Sequence, residues 1–163
     1  MIHNAPSKYL DDKEVNTLRA AFEHRAQWFY LLCEQLEKHG IDLDEAGREA
    51  IFSCGVMHGN TKYPTGDDLL AFCDAFLPET IQKVLEVEME KSEDEVKLDF
   101  HYCPLVAAWQ KMTDDEEKIR HLCDIAMDGD RGVMSTHPAF KFELTDTITT
   151  GCPTCKIRIS KVK

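Results

Sequence analysis

The stretch V-K-L-D-F-H-Y-C-P-L-V-A-A-W-Q-K, residues 96–111, decides both the predicted fold and the candidate site. Its first seven residues alternate between apolar and polar side chains, which is the two-residue period of a half-buried strand. Pro104 ends this pattern, and proline suits the first turn of a helix that residues 105–110 can continue. Cys103 is therefore predicted at the helix N-cap, where the helix dipole favours a thiolate. His101 lies on the same strand face and is the predicted proton partner of that thiol.

Helices and a second hairpin are predicted on either side of this stretch. Apolar residues at three- and four-residue steps predict a long helix over residues 13–39, and shorter helices follow it. Alternation over residues 85–90, with the glutamates on a solvated outer face, predicts a strand that pairs with residues 96–102. Alternation returns before and after the turn G-C-P-T-C, residues 151–155. We therefore predict an α+β fold, with N-terminal helices packed on a four-stranded antiparallel sheet of two hairpins that a helical pair separates.

The chain length predicts one domain, because 163 residues are enough to bury a sizeable core. Residues 1–12 are expected to form a flexible lead-in and residues 13–78 a helical part. Residues 79–163 are expected to form the sheet part, in which the inserted helices carry the site. An exposed hairpin edge could pair with a second copy of the chain, so a homodimer is also considered.

Charge and composition argue against two classes of partner. The formal net charge of -11 disfavours nucleic acid and anionic membrane surfaces, which both attract basic proteins. No apolar run approaches the roughly 20 residues of a membrane-spanning helix. The N-terminus lacks the apolar segment of a signal peptide, which predicts a cytoplasmic protein. The seven cysteines are then expected to be thiols or metal ligands rather than a disulfide framework.

The predicted helical pair carries further candidate residues. Cys123 falls on the apolar stripe of its second helix, which also fits a simple core position. Asp124 and Asp128 share another helix face, where solvated carboxylates are equally common. The segment G-D-R-G that follows is expected to form a tight loop that presents Asp130 and Arg131. An ion pair between Arg131 and a neighbouring aspartate is the alternative to a binding role.

Three segments of the C-terminal half resemble the L-2-amino-thiazoline-4-carboxylic acid hydrolase family. They are C-P-L at residues 103–105, L-C-D-I-A-M-D at residues 122–128, and the last hairpin F-E-L-T-D-T-I-T-T-G-C-P-T-C-K-I at residues 142–157. The resemblance covers roughly residues 96–160, and Thr147 and Cys155 belong to it. The family pattern has a single cysteine in the last turn, so Cys152 is extra here.

The resemblance implies a hydrolase that opens a small cyclic amidine at a carbon–nitrogen bond and yields a carbamoyl amino acid. For this chain it suggests that the Cys103 thiolate attacks the amidine carbon while His101 transfers the proton. Asp124 or Asp128 would pair with the cationic amidinium, and Arg131 would hold the substrate carboxylate, with Cys123 and Asp130 beside it. No cofactor is expected for this mechanism. Serine in place of Cys103 is expected to abolish turnover without unfolding the protein.

Two alternatives remain open at the level of sequence. Cys152 and Cys155 form a C-x2-C pair that could bind zinc or an iron–sulfur cluster if Cys103 and Cys123 complete the ligand set. The same pair could instead serve a small-molecule or redox sensor through reversible oxidation. A pocket shared by Cys103, His101 and Asp128 would favour hydrolysis. Burial of Cys103 in apolar packing, with an exposed Cys152–Cys155 pair, would favour the sensor.

Overall fold

The computed structural model describes residues 1–162, and its N-terminal half is helical. Asp12, Asp42 and Asp68 each cap a helix, because each carboxylate accepts hydrogen bonds from backbone N–H groups of the first turn. The prediction of a long helix near residues 13–39 is confirmed. The four helices of this half are α1 (Lys13–Lys38), α2 (Leu43–Lys62), α3 (Leu69–Phe76) and α4 (Glu79–Leu85).

Two hairpins form one antiparallel sheet, as predicted. Its strands are β1 (Val87–Lys91), β2 (Glu95–Phe100), β3 (Phe140–Asp146) and β4 (Cys155–Lys161). The sheet order β1-β2-β4-β3 places the two hairpins side by side, with β2 against β4. In that pairing Phe100 lies opposite Cys155, so the end of β2 and the start of β4 lie side by side at one end of the two central strands. The predicted α+β class is confirmed.

Three helices, rather than the predicted pair, separate the hairpins. They are α5 (Pro104–Gln110), α6 (Glu116–Ala126) and α7 (Asp128–Ser135). The predicted tight loop at G-D-R-G is therefore wrong, because these residues continue in a helix. The Arg131 N–H donates to the Met127 carbonyl at 3.1 Å, so the chain resumes a helical turn directly after α6.

Glycines allow α2 and α7 to pack at very short range. This packing role of Gly129 and Gly132 explains why the segment G-D-R-G was wrongly predicted as a loop. A Cβ atom built on Gly55 would lie 2.1 Å from the Gly129 carbonyl oxygen, and one on Gly132 would lie 2.2 Å from the Phe52 carbonyl oxygen. A Cβ atom built on Gly59 would lie 2.2 Å from the Thr136 hydroxyl oxygen. The glycines thus serve close backbone approach between two helices rather than a turn.

The segment before α1 contacts the sheet part. Ile2 is buried, and the Asn4 side chain donates to the Cys103 carbonyl and accepts from the Cys103 N–H, both at 2.9 Å. Ser7 and Lys8 donate backbone N–H groups to the Glu86 carboxylate. The expected lead-in therefore fixes the backbone of the candidate site residue Cys103.

Glu86 corrects the prediction that the glutamates of the first hairpin share a solvated face. Glu86 follows α4 with a left-handed backbone, φ 52°, and its exposed fraction is 2%. Its carboxylate lies 2.9 Å from the buried guanidinium of Arg19 on α1. The strand begins two residues later than predicted, at Val87, because α4 occupies the chain as far as Leu85 and Glu86 caps that helix.

Two apolar clusters form the core, and Cys155 packs against both of them. One cluster joins α1, α5 and α6, and the Trp109 indole N–H donates to the Ala26 carbonyl at 3.0 Å within it. The other joins α3, α7 and the sheet, where Val96, Leu98 and Phe100 are buried as predicted. Within residues 1–162, no helix combines the length and apolar character needed to cross a membrane.

Candidate active site

Cys103 caps α5 as predicted, but its thiol is not activated there. Its backbone is extended, Pro104 opens the helix, and the side chain is half-buried against the helical core cluster. Burial raises the pKa of the Cys103 thiol, although the N–H groups of Val106 and Leu105 act in the opposite direction. The expected thiolate at the helix N-terminus is therefore wrong, because desolvation outweighs the helix dipole.

The side chains of Cys103, Cys123 and Cys155 lie close together where β2 ends and β4 begins. Burial raises the pKa of Cys123 and of Cys155 to about 12, and a negative charge on Cys103 would raise both further. The Cys155 sulfur also accepts the Ile148 N–H at 3.2 Å. These thiols stay protonated at neutral pH, so each needs a general base before it can attack a substrate.

A surface cleft of about 380 Å³ opens beside Cys123. It lies between α6 and the connection from β3 to β4, which contains a short 3-10 helix, Ile148–Thr150. Charged side chains, hydroxyls and apolar groups line it together: Glu117, Arg120, His121, Cys123, Asp124, Met127, Leu144, Thr147, Thr149 and Thr150. A mostly apolar surface with a few polar groups is typical of a small-molecule site.

Cleft residues outside the predicted catalytic set include one imidazole and three threonines. His121 Nε2 lies 3.0 Å from the Asp44 carboxylate, so the Nε2–H tautomer would leave Nδ1 as a proton acceptor. The Thr147 hydroxyl lies 3.0 Å from the hydroxyl of Thr149. Thr149 is almost fully buried, and its hydrogen bond to Cys123 acts to lower the pKa of that thiol, against the larger effect of burial. The sequence spacing places His121 on one helix face with Asp124 and Asp128, but an isolated histidine on such a face is more often a surface residue, so it was not predicted to be functional.

His101 lies away from the cleft residues. Its Nε2 is 3.4 Å from the Glu88 carboxylate of the neighbouring strand β1. Glu88 also pairs with Lys8 at 3.1 Å. The predicted pocket that Cys103, His101 and Asp128 would share is not the cleft observed, since none of these three residues lines it.

Asp124, Asp128 and Arg131 meet in one ion-pair network. Arg131 donates to Asp128 at 2.5 Å and to Asp124 at 3.1 Å. Arg48 of α2, which the sequence did not indicate, contacts Asp124 at 2.7 Å and Asp128 at 3.1 Å. Burial opposes ionisation of Asp124, but hydrogen bonds from Arg48 and Arg131 hold its pKa below the ordinary value. Asp124 therefore keeps a negative charge at the cleft wall.

Asp130 is a half-buried carboxyl with an unusual pKa. Burial raises its pKa to about 6, although the charges of Arg25 and Arg131 act in the opposite direction. Within residues 1–162, no cationic group lies within ion-pair distance of this carboxylate. It is close enough to Cys103 to raise the pKa of that thiol. A desolvated carboxyl that is retained without a partner is typical of functional sites.

Asn in place of Asp130 is expected to stabilise the protein by about 2 kcal/mol at pH 7.5. Since the folded-state pKa lies above the unfolded value, the native state binds more protons between about pH 4 and 6. The free energy of unfolding of the parent chain should therefore decrease as pH rises through this window. In the Asp130→Asn variant this decrease should be absent. Urea unfolding at pH 4.5 and 7.5 measures the difference. Asp124→Asn is the matched control, expected to destabilise at pH 7.5, and a destabilised Asp130→Asn would contradict the argument.

The cysteine pair of the last turn does not assemble a metal site among the described residues. The Thr150 hydroxyl donates to the Cys152 sulfur at 3.7 Å, and both Cys152 and Cys155 are half-buried. Across residues 1–162, no group of three or more His, Cys, Asp or Glu side chains is arranged to hold a metal ion. The zinc or iron–sulfur alternative thus stays a prediction without a ligand set.

Comparisons with known proteins agree with this fold. A crystal structure of a trafficking protein particle complex subunit 3 from Naegleria fowleri, covalently bound to palmitic acid, superposes with a TM-score of 0.54. The alignment covers 89% of this chain and 97% of that chain at 13% identity, so the likeness concerns the fold alone. A comparison with curated proteins found no match.

The family comparison covers nearly the whole chain. The model of the L-2-amino-thiazoline-4-carboxylic acid hydrolase family matches residues 19–159. The match extends from α1 to β4, so it includes the N-terminal helices as well as the three C-terminal segments that first suggested the family. The chain therefore belongs to the L-2-amino-thiazoline-4-carboxylic acid hydrolase family.

Proposed function

We propose that this protein hydrolyses a small cyclic amidine, of the 2-amino-thiazoline-4-carboxylate type, in the cleft beside Cys123. One observation carries the proposal: residues from two of the three family motifs line this cleft. Cys123 and Asp124 come from the motif L-C-D-I-A-M-D, and Thr147 comes from the last hairpin. These segments are far apart in sequence and share one concave surface with ionised and nucleophilic groups, which supports a catalytic use.

The attacking group in this proposal is the Cys123 thiol, since Cys123 lines the cleft and Cys103 does not. Its sulfur would bond to the amidine carbon while its proton passes to His121, the imidazole of the cleft. A base is required because burial raises the pKa of Cys123 to about 12. Cys103, its neighbour, remains the alternative nucleophile that the sequence suggested.

The remaining steps use the charges of the cleft wall. Asp124 would pair with the cationic amidinium and orient the amidine carbon toward the sulfur. The ring nitrogen then leaves with the proton that His121 received, and the carbon stays attached to sulfur. A water molecule, deprotonated by His121, attacks that carbon and releases the carbamoyl product while the thiol is restored.

A direct assay of the purified protein with 2-amino-thiazoline-4-carboxylate tests this function. We expect catalytic ring opening and a carbamoyl product detectable by mass spectrometry. Cleavage at the ring nitrogen frees a primary amine, whereas cleavage at the ring sulfur frees a thiol. Appearance of a thiol in place of the amine would contradict the proposed carbon–nitrogen cleavage, and absence of any product from cyclic amidines would contradict the function.

A further inference from the structure

Arg120 contributes a guanidinium group to the lining of the cleft. Within residues 1–162, Arg120 is the single Lys or Arg side chain that lines this cleft. Its Nε donates to the Thr149 carbonyl oxygen at 3.2 Å, and its Nη1 donates to Glu117 at 2.5 Å. These two contacts fix the plane of the guanidinium. In the part of the chain that the structure describes, Nη2 has no hydrogen-bond partner.

The other arginines near the site lack this free donor group. Arg131 directs Nη1 to Asp128 and Nη2 to Asp124. Arg48 uses all three of its nitrogens, since Nε contacts Asp44, Nη1 contacts Asp128 and Nη2 contacts Asp124. A substrate carboxylate that bound the Nη1 and Nη2 groups of either arginine would have to displace an aspartate. At Arg120 it could bind the open side without such an exchange.

Arg120 and Asp124 also have the spacing of a bipolar site. They are four residues apart on α6, so their Cβ atoms lie about 5–6 Å apart on one helix face. Hydrogen bonds to Arg48 and Arg131 keep Asp124 negatively charged. The cleft therefore presents a guanidinium with an unpartnered Nη2 and an ionised carboxylate one helical turn apart. A small ring with a cationic amidine at one end and a carboxylate at the other complements this pattern.

We propose that Arg120, rather than Arg131, binds the carboxylate of the substrate and thereby selects carboxylated cyclic amidines over uncharged ones. This inference rests on the proposed function, because it assigns a specificity residue within the same cleft. The guanidinium would donate from Nη2 and from the second hydrogen of Nη1 to the two carboxylate oxygens. Lysine at this position would supply the charge but not the paired donors.

The test compares two substrates, 2-amino-thiazoline-4-carboxylate and 2-amino-thiazoline, which lacks the carboxylate. Arg120→Gln is expected to lower the ratio of their kcat/KM values by about 10- to 100-fold, with most of the loss in KM. Arg120→Lys should recover part of the ratio. Arg158→Gln, an exposed arginine on β4 that pairs with Glu95, is the matched control and should leave the ratio unchanged.

Two outcomes would overturn the assignment. One is an equal loss for both substrates in Arg120→Gln, which indicates that Arg120 only holds α6 against the β3–β4 connection. The other is a collapse of the ratio in Arg131→Gln rather than in Arg120→Gln. If the parent protein turns over neither compound, the proposed function fails, and calorimetric titration with the carboxylated ring then tests the inference by itself. Binding that weakens about tenfold or more in Arg120→Gln supports it, and no binding to the parent protein overturns it.

Discussion

Replacing Cys123 with serine is expected to lower kcat/KM for the cyclic amidine by on the order of 10³-fold, which corresponds to about 4 kcal/mol of lost transition-state stabilisation. A serine hydroxyl fits the same space but is a far weaker nucleophile, so binding in the cleft should persist while turnover is lost. Steady-state kinetics measures the loss. A titration of the variant with substrate shows whether the cleft still binds.

Two matched variants separate chemistry from packing. Cys73 on α3 is also buried, but it belongs to the core cluster of α3, α7 and the sheet, so Cys73→Ser should destabilise the fold without this loss of kcat. Cys103→Ser tests the neighbouring thiol. Full activity in Cys123→Ser together with an inactive Cys103→Ser would transfer the nucleophile to Cys103, as the sequence first suggested. Activity in both variants would exclude a thiol mechanism of the kind proposed.

The strands were predictable because their evidence is local. Side chains alternate at a period of two residues in β2 and β3, and each strand pairs with the next one along the chain within a hairpin, so the two hairpins follow from sequence neighbours. Glu86 shows where this logic ends. It fits the alternation of β1 by residue type, yet it is buried against Arg19, which lies 67 positions earlier in the chain. Burial of a charge depends on a distant partner that no local pattern reveals.

The same limit applies to the candidate site, which was only partly predictable. Cys103 at the helix N-cap and the clustering of Asp124, Asp128 and Arg131 could be predicted from local spacing. The cleft could not, because it forms where α6 meets the β3–β4 connection, two segments joined by tertiary packing alone. Arg48 joins its network across 80 residues for the same reason. The sign of the Cys103 pKa shift depended on burial, which outweighed the helix terminus that the sequence did reveal.

Replacing Glu86 with glutamine is expected to lower the free energy of unfolding by about 3–5 kcal/mol, because it leaves the buried Arg19 charge without its counter-ion. Glu86 also accepts hydrogen bonds from the Ser7 hydroxyl at 2.7 Å and from two backbone N–H groups. Burial alone would raise the pKa of Glu86, but these bonds and Arg19 hold it below the ordinary value. The carboxylate of Glu86 therefore contributes fully to the free energy of unfolding above about pH 4.3, the unfolded-state pKa. This contribution decreases as pH falls below that value.

Urea unfolding at pH 7 and pH 3.5 measures both effects, and the difference between parent and Glu86→Gln should shrink at the lower pH. Glu88→Gln, an exposed glutamate two residues later, is the control and should change stability by less than about 1 kcal/mol.

The Glu86→Gln variant also connects the stability of this ion pair with the candidate site. Residues 7 and 8 are attached to Glu86, and Asn4 of that segment holds the Cys103 backbone, so Glu86→Gln should also speed alkylation of Cys103 by iodoacetamide. A Glu86→Gln protein as stable as the Glu88→Gln protein would show that this buried ion pair does not anchor the N-terminal segment.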